Sequence, residues 1–374
     1  IDYTRRPETR LNSWDYDSDY VDAHYSAAYL YSVYLWEQLG EQAIQELSRH
    51  PGNGLAGINT ILQGYAPDRS LTDFTADWVA ANFLDDPAAG PRYNYETLDL
   101  GRPSFDWRIK QLPQTTTSQL DQFGVHYIDL DVRGPLTITF AGDTVIPLID
   151  SAPPSGEQMW YAPAQDETNA QLTAVFDLTG LTSATLNFAA WYDLEEEYDF
   201  AYLSVSQDDG QSWELLVPAH AASGEYGPAF NGRSDDTPDH RNGWVKEQIS
   251  LNRYAGKQVM VRFEVLTDSA VSGRGFALDD IAIPELGYTN NAENNSPEWI
   301  TNGFVQTGWQ LPQLWSVQLI ESGPAPTVTR LPLNELNQGQ WSVEIGKGDA
   351  TLAIIPLTPF IDQPANYWLT LARE

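Results

Sequence analysis

The chain of 374 residues has no cysteine. That excludes disulfides, a thiolate nucleophile and any cysteine-ligated zinc. Basic residues are scarce: 20 Lys and Arg face 52 Asp and Glu, a formal net charge of −32. Such a surface repels a phosphate backbone, so no nucleic-acid partner is expected. There is no run of 18 apolar residues, so no membrane-spanning helix is expected either. The five histidines, His24, His50, His126, His220 and His240, are scattered, and none stands in an HExxH pair. They read as ordinary surface or core residues. No G-x-S-x-G marks a nucleophilic serine. The glycine-rich PGNGLAG stretch, Pro51 to Gly57, lacks a following Lys-Ser/Thr and reads as a helix connection rather than a phosphate loop. The first residue is Ile1, with no methionine and no leader pattern, which reads as a cut fragment or a mature form.

The length calls for two or three domains. A hydrophobic content of 42% with 13 Trp and 19 Tyr excludes global disorder. Helical periodicity is confined to the first ~90 residues. From Asp22 to Leu39 the residues Tyr25, Ala28, Tyr29, Val33, Trp36 and Leu39 fall near a 3.6 period, with Gly40 as a C-cap. Further helices are expected over Glu41 to Ser48, ended by Pro51 and Gly52, over Gly54 to Leu62, and after an N-cap at Thr72. From about Leu98 onward period-two strands take over. In one of them Val259, Val261, Phe263 and Val265 form one face, with Met260, Arg262 and Glu264 on the other. The polar stretches 151–158 and 289–298 read as linkers.

The fold class expected is therefore multidomain α plus all-β: an N-terminal helical lobe, a jelly-roll β-sandwich and a second small β-sandwich. Residues 1–97 form the lobe, and 98–150 a linker with the first strands of the small sandwich. The jelly roll takes 151–287, and 288–374 complete the small sandwich. An inserted jelly roll is favoured over three consecutive domains, because about 25 residues of strand cannot bury a core alone.

Carboxylates crowd at strand ends between Leu186 and Asp280. A hard cation wants six to eight oxygens, and the candidate ligands for a structural calcium are Asp193, Glu195, Glu197, Asp199, Asp279 and Asp280. Two-residue spacing would put Asp193 with Glu195, and Glu197 with Asp199, on one side of a strand. The competing reading is a solvated acidic rim. Paired catalytic carboxylates of the glycosidase kind are disfavoured, since the acids are packed within seven residues and alternate in direction. Trp160, Trp191, Trp213 and Trp244 are candidates for a sugar-binding platform, against burial in a sandwich core.

Three blocks resemble one family, the secreted zinc metallopeptidases of the immune-inhibitor-A type. LNSW (Leu11 to Trp14), the run from Ala23 to Leu47, PGNGLAGINTIL and FTADWVAANFLDD are similar to the family's C-terminal helical lobe. The steps Trp191 to Asp193, Glu195 to Asp199, Asp209 to Trp213, Gly243 to Asp268 and Gly275 to Pro284 resemble its MAM-like jelly roll. A weaker block covers Ala292 to Thr307. The resemblance implies a chain that begins just after the third zinc ligand, so no zinc ligand and no catalytic residue is carried over. Zinc would belong to the missing catalytic part alone. It implies the non-catalytic C-terminal portion of a secreted protein. Its helical lobe would wall the cleft, with Tyr25, Tyr29 and Trp36 as lobe core. The partners implied are the chain's own missing catalytic domain and a protein or glycan substrate or surface ligand. The alternative is a stand-alone cell-surface adhesion protein.

Overall fold

Period-two alternation and the helical run at the N-terminus both materialise, and together they set the architecture. The computed structural model describes residues 2–12, 21–50, 54–269, 271–346, 348–359 and 361–373. Helices α1 (Asp2–Arg5), α2 (Val21–Leu39), α3 (Glu41–Leu47), α4 (Gly54–Tyr65) and α5 (Leu71–Leu84) precede all the strands. The protein is thus mixed α + β and mostly β. Residues 13, 14, 51 and 52, used above for the LNSW block and for a helix stop, lie outside the described residues. The chain divides into two compact units, one of Ile1–Ile146 with Pro312–Glu374 and one of Pro147–Leu311.

In the first unit the helices cover one face of a five-stranded sheet. Its order is Trp107–Ile109, His126–Leu130, Asp349–Pro356, Trp315–Ser322, Thr327–Arg330. Leu30 and Tyr34 of α2 and Phe74 and Trp78 of α5 share a core with Tyr127, Ile320, Ala353 and Ile355 of the strands. A second, antiparallel sheet has the order Gln114–Leu120, Ala365–Ala372, Gly134–Gly142, Gln338–Ile345. Its inner residues, such as Leu136, Ile138, Phe140 and Tyr367, pack against Ile128, Leu319 and Leu352 of the first sheet.

Two details of the helical part differ from expectation. The N-cap of α5 is Ser70, not Thr72: Ser70 Oγ accepts the Asp73 N–H at 3.1 Å, and the Asp73 carboxylate accepts the Ser70 N–H at 3.3 Å. This reciprocal box satisfies two orphan donors, which Thr72 could not do from inside the first turn. Helix α2 also buries a different face. Tyr25, Tyr29 and Trp36 are 60%, 53% and 44% exposed, whereas Ala27, Leu30, Tyr31, Tyr34 and Leu35 are buried. The helix carries two aromatic stripes, and the one interleaved with Leu30, Leu35 and small Ala27 packs more closely.

The second unit is a sandwich of two antiparallel sheets. One has the order Glu214–Leu215, Phe200–Ser206, Gln258–Leu266, Asn169–Asp177, Trp299–Asn302. The other has Val245–Ser250, Thr185–Asp193, Gly275–Ile283, Gln158–Ala162, Val305–Gly308, with Tyr288–Asn290 beside Gly275–Ile283. Val259, Val261, Phe263 and Val265 point into the shared core, as alternation requires. The stretch 289–298, expected as a linker, is built into this unit. Asn290 is buried: its Oδ1 accepts Trp160 Nε1–H and the Ala292 N–H, both at 3.1 Å, and its Nδ2 donates to Ser296 Oγ at 2.7 Å. An Asn-rich composition signals a loop, but amides that find partners can be buried at little cost.

Candidate metal centre

The acidic run begins where strand Thr185–Asp193 ends and finishes where strand Phe200–Ser206 begins. Between them the backbone closes a tight turn, with the N–H groups of Tyr198 and Asp199 both donating to the Glu195 carbonyl, at 3.4 and 3.1 Å. Glu197 takes the left-handed φ of 73° that the turn needs. Asn231 holds the turn from outside. Its Nδ2 donates to the carbonyls of Glu195 and Asp199 at 3.0 and 2.8 Å, and its Oδ1 accepts the Glu197 N–H at 3.2 Å.

This turn brings Glu195 and Asp199 together, and Asp268 joins them. One carboxylate oxygen from each lies within 4.8 Å of the others. Asp199 is fully buried, and its Oδ1 accepts the Asp268 N–H at 3.0 Å. Its Oδ2 is buried with no hydrogen-bond partner. Burial, reinforced by the charges of Asp268 and Glu195, pushes the Asp199 carboxyl up to about 6. Burial and the charge of Asp268 raise Glu195 too. A buried carboxylate that sits beside two others and has one oxygen without a hydrogen-bond partner is costly unless a cation joins the group. The donors are all oxygens, the set a hard divalent ion takes. The triad can therefore hold a metal.

The other sequence candidates go elsewhere. Asp193 closes its strand rather than alternating with Glu195; burial raises its carboxyl, and the Arg233 and Arg274 guanidiniums oppose that. Glu197 is exposed and lines a cleft of about 480 Å³ with Tyr198, Phe200, Glu225 and Asp268. Asp279 has both oxygens engaged by donors: Oδ2 accepts the Ser155 N–H at 2.9 Å and Oδ1 the Asp280 N–H at 2.7 Å. Ser155 Oγ–H also donates to Asp280. Asp268 was missed because the link needs register, not motif. Leu266 pairs with Phe200, so the residues just past these strand ends, 268 and 199, meet.

The tryptophan platform does not form: Trp160, Trp191 and Trp244 are buried, and Trp213 lies beneath the Arg262 guanidinium at 3.8 Å. His24 is also buried, with Nδ1 3.1 Å from the Arg10 carbonyl. His220 has both ring nitrogens engaged, Nδ1 with Glu247 at 2.7 Å and Nε2 with Asp239 at 2.8 Å. Neither nitrogen is left to act as a catalytic base. Burial works against the His220 cation, but the hydrogen bonds and charges of Asp239 and Glu247 outweigh it and raise the imidazole. A raised value means this clamp stabilises fully below the ordinary histidine range of about 6.5 and is lost as pH climbs through the folded value. His220→Gln should flatten the fall in unfolding midpoint from pH ~6 to ~9. A pH–midpoint curve parallel to that of the parent would sink that reading.

Comparison with known proteins finds similarity over part of the chain. Residues 147–309 match the family described as Immune inhibitor A-like, MAM domain. The chain is similar to Immune inhibitor A of Bacillus thuringiensis subsp. alesti, 29% identical over 157 residues, 41% of this chain and 21% of that protein. It is also similar to Pre-pro-metalloprotease PrtV of Vibrio cholerae serotype O1 (strain M66-2), 25% identical over 232 residues, 61% of this chain and 23% of that protein. Bacillopeptidase F of Bacillus subtilis (strain 168) is 25% identical over 113 residues, 30% of this chain and 7% of that protein. The chain thus spans less than a quarter of the length of these relatives.

Proposed function

We propose that this chain is the non-catalytic C-terminal portion of a secreted bacterial metallopeptidase-like protein. The helical lobe walls the substrate cleft, and the β modules bind substrate or a cell surface. The jelly roll is stabilised by a structural calcium ion on Glu195, Asp199 and Asp268. Any zinc belongs to a catalytic part outside this sequence, which contains no HExxH. The observation that carries this reading is the extent of the similarity to the Vibrio metalloprotease. At 232 residues it is longer than the whole 147–309 segment, so it reaches beyond the MAM-type domain. An oxygen-only donor set, one member of which has a buried carboxylate oxygen without a partner, supports calcium in the jelly roll.

The test is to express the complete reading frame that encodes this chain and compare its casein hydrolysis, with and without 1,10-phenanthroline, to that of the chain alone. The expected result is phenanthroline-sensitive hydrolysis by the complete product and none by the chain. An inert complete product without HExxH would remove the peptidase reading. The match to a MAM-type domain would then favour the stand-alone adhesion protein.

A further inference from the structure

The outer face of the antiparallel sheet in the first unit differs in chemistry from the rest of this acidic chain. Inner residues such as Leu120, Ile138, Phe140 and Leu369 belong to the core, and the outer residues alternate with the inner ones along each strand. Register places Thr117, Trp368, Ala141 and Gln338 side by side in one row across the four strands. The next row is Thr115, Thr370, Thr139 and Gln340, with the Thr115 and Thr370 hydroxyls 3.2 Å apart. A third row continues with Ala372, Thr137 and Ser342. None of these positions is Asp, Glu, Lys or Arg, although 19% of the chain is charged. The first charge met along the strand Gln338–Ile345 is Glu344, in the row beyond.

Trp368 stands within this field, 47% exposed. Its cross-strand neighbours are Thr117 and the small Ala141, so no large side chain covers it from either strand. The strand preference of threonine accounts for the Thr content. It accounts neither for the missing charge nor for a large exposed indole on a sheet face, which solubility alone disfavours. Strands about 4.8 Å apart, with like-facing residues about 6.8 Å apart along each, present the hydroxyls and amides as a regular flat array. A cationic ligand finds no carboxylate on these rows, and a polyanion is repelled by the net charge of −32. A neutral polyhydroxylated chain fits both. The C–H face of a sugar ring stacks on an indole, while its hydroxyls exchange hydrogen bonds with Thr and Gln.

We propose that this sheet face binds a neutral polysaccharide. Trp368 stacks on one sugar ring, and Thr117, Thr139, Thr370 and Gln340 hydrogen-bond the chain running over it. This names a ligand class for the binding role proposed above, at a site separate from the carboxylate triad.

The test uses the full chain. Retention is measured on insoluble cellulose and chitin, and by affinity electrophoresis in gels containing xylan or dextran, with heparin as the polyanionic control. At least one neutral polymer should retain the protein, heparin should not, and Trp368→Ala should weaken retention about tenfold or more. Gln340→Glu, a near-isosteric change that only adds charge, should weaken it in the same direction. Both side chains are exposed, so the unfolding midpoints of the variants should stay near that of the parent. Asp199→Asn should leave retention unchanged, which separates this site from the metal centre. Absence of retention by all four neutral polymers overturns the proposal, as does equal retention of Trp368→Ala. Self-association that Trp368→Ala abolishes, without polymer binding, also overturns it and assigns the face to a second copy of the chain.

Discussion

Calcium added to chelator-treated protein should raise its unfolding midpoint by about 5–10 °C, and Asp199→Asn should abolish that rise. A ligand that binds only the folded state at 100 times its Kd stabilises by about 2.7 kcal/mol. For a unit of this size each kcal/mol moves the midpoint by about 2–4 °C. The variant makes a second, opposite prediction. Without calcium, Asp199→Asn should melt at or above the parent, because it removes a buried charge that Glu195 and Asp268 crowd. A solvated acidic rim would give no calcium response in either protein. Glu197→Gln, which neutralises an exposed carboxylate outside the triad, should keep the rise. Magnesium should give a smaller shift, since its rigid octahedral shell and reluctance to shed water suit it poorly to a protein-built carboxylate cage. A parent whose midpoint ignores calcium after exhaustive chelation would end the metal assignment.

How far the site could be read from sequence follows from which part of it is local. Glu195 and Asp199 stand in a conspicuous acidic run, and both could be named from composition. The geometry that joins them could not be named that way. Alternation along a strand would separate residues 195 and 199 by over ten ångströms at about 3.4 Å per residue. Instead a turn with Glu197 in the left-handed region folds them together. The third carboxylate, 69 residues further along, arrives through strand pairing that a single sequence does not specify. The same division runs through the fold. The strand Gln258–Leu266 was legible because period two leaves one choice of buried face. Helix α2 was legible as a helix but not in its orientation, since Tyr25, Tyr29 and Trp36 compete with Tyr31 and Tyr34 for the core. The stretch 289–298 was misread because its Asn residues signal a turn and give no hint that Trp160 and Ser296 will pair with Asn290.

Phe263→Ala should be the most damaging single core change in the jelly roll, lowering stability by about 3–5 kcal/mol. The ring is fully buried, on a strand flanked by Asn169–Asp177 on one side and Phe200–Ser206 on the other. It meets Phe188 of the opposite sheet edge-on, with centroids 5.0 Å apart, and Trp299 of the edge strand beyond Asn169–Asp177 at 6.2 Å. Truncation therefore loses transfer energy and two ring contacts, and leaves a cavity bounded by both sheets. Paired strands held in register on both sides cannot collapse into that space cheaply. Domains have only about 5–15 kcal/mol in total, so the variant should fall in midpoint by about 10 °C or more. Phe263→Leu, which keeps most of the volume, should cost well under half as much. Melting curves followed by circular dichroism decide the point: an alanine variant within about 2 °C of the parent would mean that Phe263 does not sit at the centre of this core. The calcium response supplies an internal check. The triad lies at the end of the same strand pair, where Leu266 meets Phe200, so loosening that pair should weaken calcium binding along with the core. Saturating calcium should then recover only part of the midpoint that the alanine variant loses.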